Sequence, residues 1–458
     1  MNRSDHPSRR RWRRTTLSRG PMDSITATPT STLDPGPATA TLRATVRQTV
    51  AGVAQAVQRL DSVDLFRGLI MVIMLIDHTR DYVHRDGMSV DPLALATTTP
   101  LLYFTRWITH LCAPGFAFLA GASAGFQRHR GASVPALSRF LWTRGLSLMV
   151  MELTIIRLLG SFNVDPNYLA NLQVIWAIGG SMVVLAALVR LPQRAILAIG
   201  LLIVCGHNLL DAFNVPAWTS PAMPAPSALG KLWMVMHQNG LFPLFGFPVP
   251  MVRVNYPLLP WIGVLALGYV FADLWLLPTE QRRRVLWQLG LAMVVAFVAL
   301  RIPNLYGDPL RWQPQDTLFK SIASFMNVQK YPPSLLYLLA TLAPCLLFLS
   351  FLQGRTFSNP LTRALITYGR VPMFFYLLQW MWAHGCGLIF SATNGMPIAA
   401  HFQSRAETFM GTPPPVFGGT LRDVYVCWFL GAIVLYFPCR WYAGVKARRK
   451  DLVLLRYL

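Results

Sequence analysis

An all-α polytopic membrane protein is the fold class this sequence predicts, on three observations. Of 458 residues, 53% are hydrophobic and only 13% are charged; the mean hydropathy is +0.41. Apolar windows of about 18 to 25 residues recur along the chain, the length a helix needs to cross about 30 Å of hydrocarbon. Length and breakers place about ten transmembrane helices, at 63–80, 103–126, 141–160, 171–189, 195–213, 256–277, 285–302, 334–352, 366–390 and 421–442.

The termini come first. The net charge is +22, with ten arginines in residues 1–61, among them those of "RRRWRR", and a C-terminus that reads "KARRKDLVLLRYL". Basic residues next to spans set topology and meet anionic lipid, so nucleic acid is not the partner they imply. "TATPTSTLDPGPATATL" lacks the apolar residues of a packed core. Residues 1–60 are therefore read as a flexible basic cytoplasmic tail with a short surface helix at 42–60, 61–443 as the membrane domain and 444–458 as a second basic tail. No apolar h-region promptly follows "RRRWRR", so no removable signal peptide is expected, and Met22 is an alternative start.

The connections "QRHRGASVPALSRFLWTR", "RLPQR", "EQRRR" and "GRTFSNPLTR" share a side with both tails, and the longer connections at 214–255, 303–333 and 391–420 are sparser in Arg and Lys. The positive-inside rule then puts both termini in the cytoplasm. "DHTRDYVHRDG", at the exit of the first span, faces outward. The outward loops "HQNGLFPLFGFPVPMVRVNYP" and "FKSIASFMNVQKYPP" read as segments folded over a cavity. Cys112, Cys205, Cys345, Cys386, Cys427 and Cys439 form no CxxC pair, which argues against a zinc or redox motif.

The ionisable residues carry the chemistry, because charge near a bilayer centre costs at least about 2.5 to 3.5 kcal/mol. Asp77, Asp81 and His84 fall at i, i+4 and i+7 of a helix, and His78 and Asp81 at i and i+3, so a carboxylate there can orient an imidazole for general-base work. The opposing reading is a helix-end network that only caps and snorkels. His110, one turn into the second span, either meets His78 or makes a plain interhelical hydrogen bond. No HExxH or tight cluster supports a metal. On the inward side Asp64 and Arg67 stand at i and i+3, and with Arg144 and Arg370 the latter forms a basic vestibule suited to a phosphorylated donor, or else these arginines snorkel to headgroups. Glu152, near mid-bilayer, needs a partner, with Arg157 or a neighbouring helix expected. Gly121 and Gly125 suit close helix packing. Asn255, Tyr256, Lys330 and Tyr331, beside the Pro residues that open two spans, either line an acceptor site or form an interfacial belt.

"RLDSVDLFRGLIMVIMLIDH", "PGFAFLAGASAGF", "NYPLLPWIGVLALGY", "KYPPSLLYLLATL" and "YGRVPMFFYLL", in that order over residues 59–442, resemble the bacterial relatives of the heparan-α-glucosaminide N-acetyltransferase catalytic domain. The resemblance implies a membrane acyltransferase of the bacterial inner membrane. It would carry an acyl group, typically acetyl from acetyl-CoA, from the cytoplasm to a sugar acceptor on the far side, with an outward histidine essential. Asp64 and Arg67 carry over through "SVDLFRG". His78 stands where the animal enzymes have a functional Asn, and their essential His falls near Ser89, with His84 the nearest substitute. Gln379 stands where the bacterial pattern often has His. The rival from another class is a transporter or flippase for a glycan or lipid precursor, and a homodimer is compatible with either.

Overall fold

A computed structural model gives the architecture. It describes residues 61–449 except 88, 166–167, 221, 246–249, 404–406 and 408–415, together with 451, 452 and 455. Residues 1–60, read from the sequence as a flexible tail with a short helix at 42–60, lie outside the described residues.

The chain is mostly helical. In order come α1 (61–83), α2 (Pro100–Ile108), α3 (Cys112–His129), α4 (Val134–Met151), α5 (Arg157–Ser161), α6 (Val174–Leu188), α7 (Gln193–Gly206) and α8 (Ala228–Met236). Next are α9 (Leu258–Phe271), α10 (Thr279–Arg301), α11 (Leu318–Met326), α12 (Leu335–Leu352), α13 (Pro360–Arg370), α14 (Pro372–Thr393), α15 (Leu421–Val434) and α16 (Tyr436–Arg448). A 3-10 turn joins α2 to α3 as one 30-residue helical stretch, and a π-helical turn, Glu152–Ile156, joins α4 to α5.

Every predicted window contains a helix, but among the described residues seven, not ten, are both long and apolar enough to cross a membrane. The other three differ for visible reasons. α1 and α4 interrupt their apolar runs with ionisable side chains, and α6 has 15 residues.

Helix starts follow local chemistry. The hydroxyls of Thr99, Ser133 and Ser334 and the amide oxygen of Asn359 accept first-turn N–H groups, and Pro100 and Pro360 occupy positions where no N–H is needed. Thr420 and Asp423 form a reciprocal capping box at α15.

The expectation of helices alone needs one correction. Strands β1 (Tyr168–Leu172), β2 (Gly240–Pro243) and β3 (Met251–Val254) make a small sheet in the order β1-β3-β2, with β1 parallel and β2 antiparallel to β3. Its strands of four or five residues, one ending in Pro, are too short to show a period of two. The sheet matters because β3 delivers Asn255 and Tyr256 to α9, where Asn255 donates to the Asn171 side chain at 2.7 Å.

Close helix contact is built from small residues. A Cβ on Gly121 would lie 2.0 Å from the Leu265 carbonyl oxygen, so α3 and α9 pack backbone to backbone as the Gly121/Gly125 spacing predicts. At the α1–α13 crossing a Cβ on Gly369 would lie 1.8 Å from the Asp64 carbonyl oxygen. Gly369→Ala should force these helices apart and cost about 1 to 3 kcal/mol. Thermal unfolding in detergent checks this, and a loss under about 0.5 kcal/mol would contradict so tight a crossing.

Candidate functional site

Two cavities meet inside the bundle. One, of about 270 Å³, has Arg67, Arg144, Arg370 and Lys446 in its wall; the other, of about 430 Å³, has Asp77, His78, Arg106 and Lys330. Met74, Phe116, Val174 and Tyr376 line both, so these four side chains are the partition between the two spaces. Met74, Asp77, His78 and Asp81 fall at i, i+3, i+4 and i+7, which puts the partition and the polar wall on one face of α1.

At the first cavity, Arg67 Nη1 donates to Asp64 Oδ1 at 3.0 Å and to the Gly369 carbonyl at 3.0 Å, while Nη2 donates to Ser123 Oγ at 3.1 Å. Arg370 pairs with Asp61 at 2.8 Å and stands 3.7 Å from the other Asp64 oxygen. Asp64 therefore holds two guanidinium groups in place and is absent from the cavity wall. The three arginines that the sequence groups, Arg67, Arg144 and Arg370, line this one cavity, and Lys446, which the sequence does not point to, joins them. That residue sits in the stretch read as a tail, whereas α16 runs through it to Arg448. The last apolar residues before a basic cluster look like the end of a span, which conceals one more helical turn.

At the second cavity, Arg106 Nη1 reaches Asp77 Oδ2 at 2.5 Å, and Arg80 Nη2 reaches Asp77 Oδ1 at 3.1 Å and Asp81 Oδ1 at 2.6 Å. The two aspartates thus face guanidinium groups, and no Asp–imidazole hydrogen bond involves His78 among the described residues. A permanent cation outcompetes a neutral imidazole for a buried carboxylate. The sequence carries a signal for this, because Arg80 is three residues after Asp77 and Arg106 lies inside a span, where a charge demands a partner.

His78 is positioned by rings instead. Its imidazole stacks on Trp380 at 4.0 Å between centroids and 29° between planes, and meets Tyr376 edge-on at 6.0 Å. Its Nδ1 is buried without a hydrogen-bond partner.

The other two histidines are elsewhere. His84 ends α1 in a backbone bridge to Gly419, Nδ1 accepts the Asp86 N–H at 3.2 Å, and it is absent from the cavity wall. Burial holds its imidazole below the ordinary histidine value against the pull of Asp86. His110 is buried against Tyr337, whose hydroxyl donates to the His110 carbonyl at 2.9 Å, which gives it an interhelical role. Ser89 does line the second cavity, and Gln379 is buried away from it.

Asn255, Tyr256, Lys330 and Tyr331 all reach the second cavity. The loop that carries Lys330 is fastened by Arg301, which donates to the carbonyls of Leu310, Ser324, Phe325 and Asn327. Glu152 lies at the first position of the π turn. Of the two partners expected, it takes the neighbouring helix and not Arg157: Oε2 accepts from the α6 backbone, at Ile175 N at 3.1 Å and Trp176 N at 3.3 Å. Arg157 turns to the Asp165 carbonyl. Glu152 so fixes the first turn of α6, which supplies Val174 to the partition.

The heparan-alpha-glucosaminide N-acetyltransferase catalytic domain family matches residues 59–301, more than half of the chain. The chain belongs to that family. Membership in this N-acetyltransferase family makes it a multi-pass membrane protein of acyltransferase type. The matched part contains Arg67, Arg144, His78, Asp77 and the β3–α9 junction; Lys330, Arg370 and the "KYPPSLL" and "YGRVPMFFYLL" motifs lie beyond it. No curated protein matches the chain.

Proposed function

We propose that the protein moves an acetyl group from cytoplasmic acetyl-CoA to the hydroxyl or amine of a sugar acceptor on the outer face of a bacterial inner membrane. The observation that carries this reading is the pair of abutting cavities, one rimmed by arginines and the other holding His78. Both termini are cytoplasmic in this reading, by the positive-inside rule, so the Arg67 end opens inward.

A donor entering from that end meets Arg67, Arg144, Arg370 and Lys446, whose charges suit its phosphates. Asp64 is a positioning residue for two of them. The apolar walls of the first cavity suit the uncharged arm and lead to Met74, Phe116, Val174 and Tyr376. The thioester reaches this partition, and the acceptor lies beyond it. His78, one helical turn from Met74, takes the proton of the attacking hydroxyl or amine. The freed lone pair adds to the carbonyl carbon, and the C–S bond breaks with the electron pair leaving on the CoA sulfur. Direct transfer needs no acyl-enzyme.

The test begins with the donor. Acetyl-CoA at about 100 times its dissociation constant should stabilise the detergent-purified protein by about 2.7 kcal/mol. ATP should stabilise it far less, and Arg67→Ala should abolish the effect of acetyl-CoA. No stabilisation at millimolar acetyl-CoA would overturn the reading and favour a transporter, which moves its substrate without consuming a thioester.

A further inference from the structure

Two thiols meet at the seam between α14 and α15. Trp382 of α14 donates its indole N–H to the Cys427 carbonyl of α15 at 2.9 Å, and a Cβ on Gly431 would lie 2.4 Å from that same indole nitrogen. The two helices therefore pack closely where Trp382 covers Gly431. Cys386 stands four residues after Trp382, and Cys427 four residues before Gly431. In an antiparallel pair each cysteine then lies one turn nearer the outer end of its helix, facing the other. Their side chains share a hydrogen bond.

The surroundings set this pair apart from the other cysteines. Cys112, Cys345 and Cys439 are buried and Cys205 is exposed, whereas Cys386 and Cys427 are both half-buried. Exposed Met381, Ile389, Val426 and Phe429 place the seam at the periphery of the bundle. Cys386 is seven residues from the outer end of α14 and Cys427 six from that of α15. At the rise of a helix this is about 10 Å below the helix ends. By the positive-inside rule those ends face outward, into a compartment that oxidises thiols rather than keeping them reduced. The two positions are 41 residues apart (427 − 386), so no CxxC spacing announces them.

We infer that Cys386 and Cys427 close to an interhelical disulfide that ties the outer half of α14 to α15. The oxidant is a protein disulfide of the outer compartment, met while the two helices are being laid together. One cysteine, as its thiolate, attacks that disulfide, and one oxidant sulfur leaves as a thiolate. The second cysteine attacks the mixed disulfide and expels the other oxidant sulfur. The cysteines lose two electrons and two protons, and the oxidant takes up both as its dithiol. The tie restrains the helix that carries Tyr376 of the partition and Trp380, the ring stacked on His78. It does not depend on the acyl-transfer reading.

The experiment uses the full-length protein from membranes whose free thiols are blocked with N-ethylmaleimide before solubilisation. Tryptic digestion without reductant should give residues 371–405 joined to 423–440, and reduction should separate the two peptides. Four of the six cysteines should carry maleimide, and all five that remain should carry it in Cys386→Ser. Cys427→Ser should also abolish the link, although Cys439 stays in the same peptide. Reductant should lower the thermal midpoint of the wild type by roughly 3 °C or more and leave that of Cys386→Ser unmoved. Maleimide on both Cys386 and Cys427 of the native protein overturns the disulfide, as does a link from either one to a different cysteine. A linked protein whose midpoint ignores reductant overturns the restraint on α14.

Discussion

Replacing His78 by alanine is expected to lower acyl transfer by about two to four orders of magnitude, the range a positioned general base contributes, while acetyl-CoA still stabilises the variant. Several observations set the size of the effect. His78 is the one histidine of the three candidates in the wall of the second cavity, and Met74, four residues before it on the same face of α1, lies in the partition. Trp380 clamps the ring by stacking, so the base is held without a carboxylate behind it. His84→Ala and His110→Ala should each change turnover by only a few-fold, because neither side chain reaches the cavity. Steady-state transfer to a fixed acceptor, with acetyl-CoA stabilisation as the control for folding, measures all three. If His84→Ala stops transfer and His78→Ala does not, the reacting centre is not in this cavity. If His78→Ala raises KM and leaves kcat, His78 binds the acceptor and another group takes the proton.

Much of this arrangement is legible in the sequence, for a physical reason. Apolar runs of span length fix helices almost regardless of context, since unpaired backbone groups cannot stand in hydrocarbon. Charges inside such runs are too costly to be incidental, so Arg67, Arg144, Arg370 and the "DHTRDYVHRDG" stretch point to both cavities from their positions in the chain alone. The choice of partners is less legible. Period and spacing put Asp77, Asp81, His78 and His84 near one another, but they carry no information on which group reaches a carboxylate first. Arg106, from a different helix, takes Asp77, and that contact spans 29 positions. His84 falls where α1 stops being a helix and becomes a bridge to Gly419, so counting i+7 from Asp77 no longer describes its direction. Glu152 in mid-span announces the need for a partner, but a backbone N–H pair at a helix start has no residue signature. The small sheet is hidden for a related reason, as β1 pairs with the distant β3 through backbone groups alone.

Asp77 should therefore prove a charge-balancing residue rather than the orienter of His78, and its removal is the largest stability effect expected. Asp77→Ala leaves Arg106 without a carboxylate and Arg80 with Asp81 alone. The Asp77 and Arg106 side chains are 16% and 13% exposed, so solvent can replace little of what is lost. Breaking a buried pair from one side costs about 3 to 5 kcal/mol, whereas replacing both partners by apolar groups of similar shape is often neutral. Thermal unfolding of Asp77→Leu, Arg106→Met and the double variant forms the cycle that separates these terms. Each single change should be strongly destabilising and the double change markedly less so. Turnover decides the catalytic question in the same proteins. With no Asp77–His78 hydrogen bond to lose, the double variant should retain transfer within about an order of magnitude, a smaller loss than that of a missing general base. A double variant as stable as wild type but as inactive as His78→Ala would show that Asp77 acts on the imidazole after all, by moving to it once the donor and acceptor are bound.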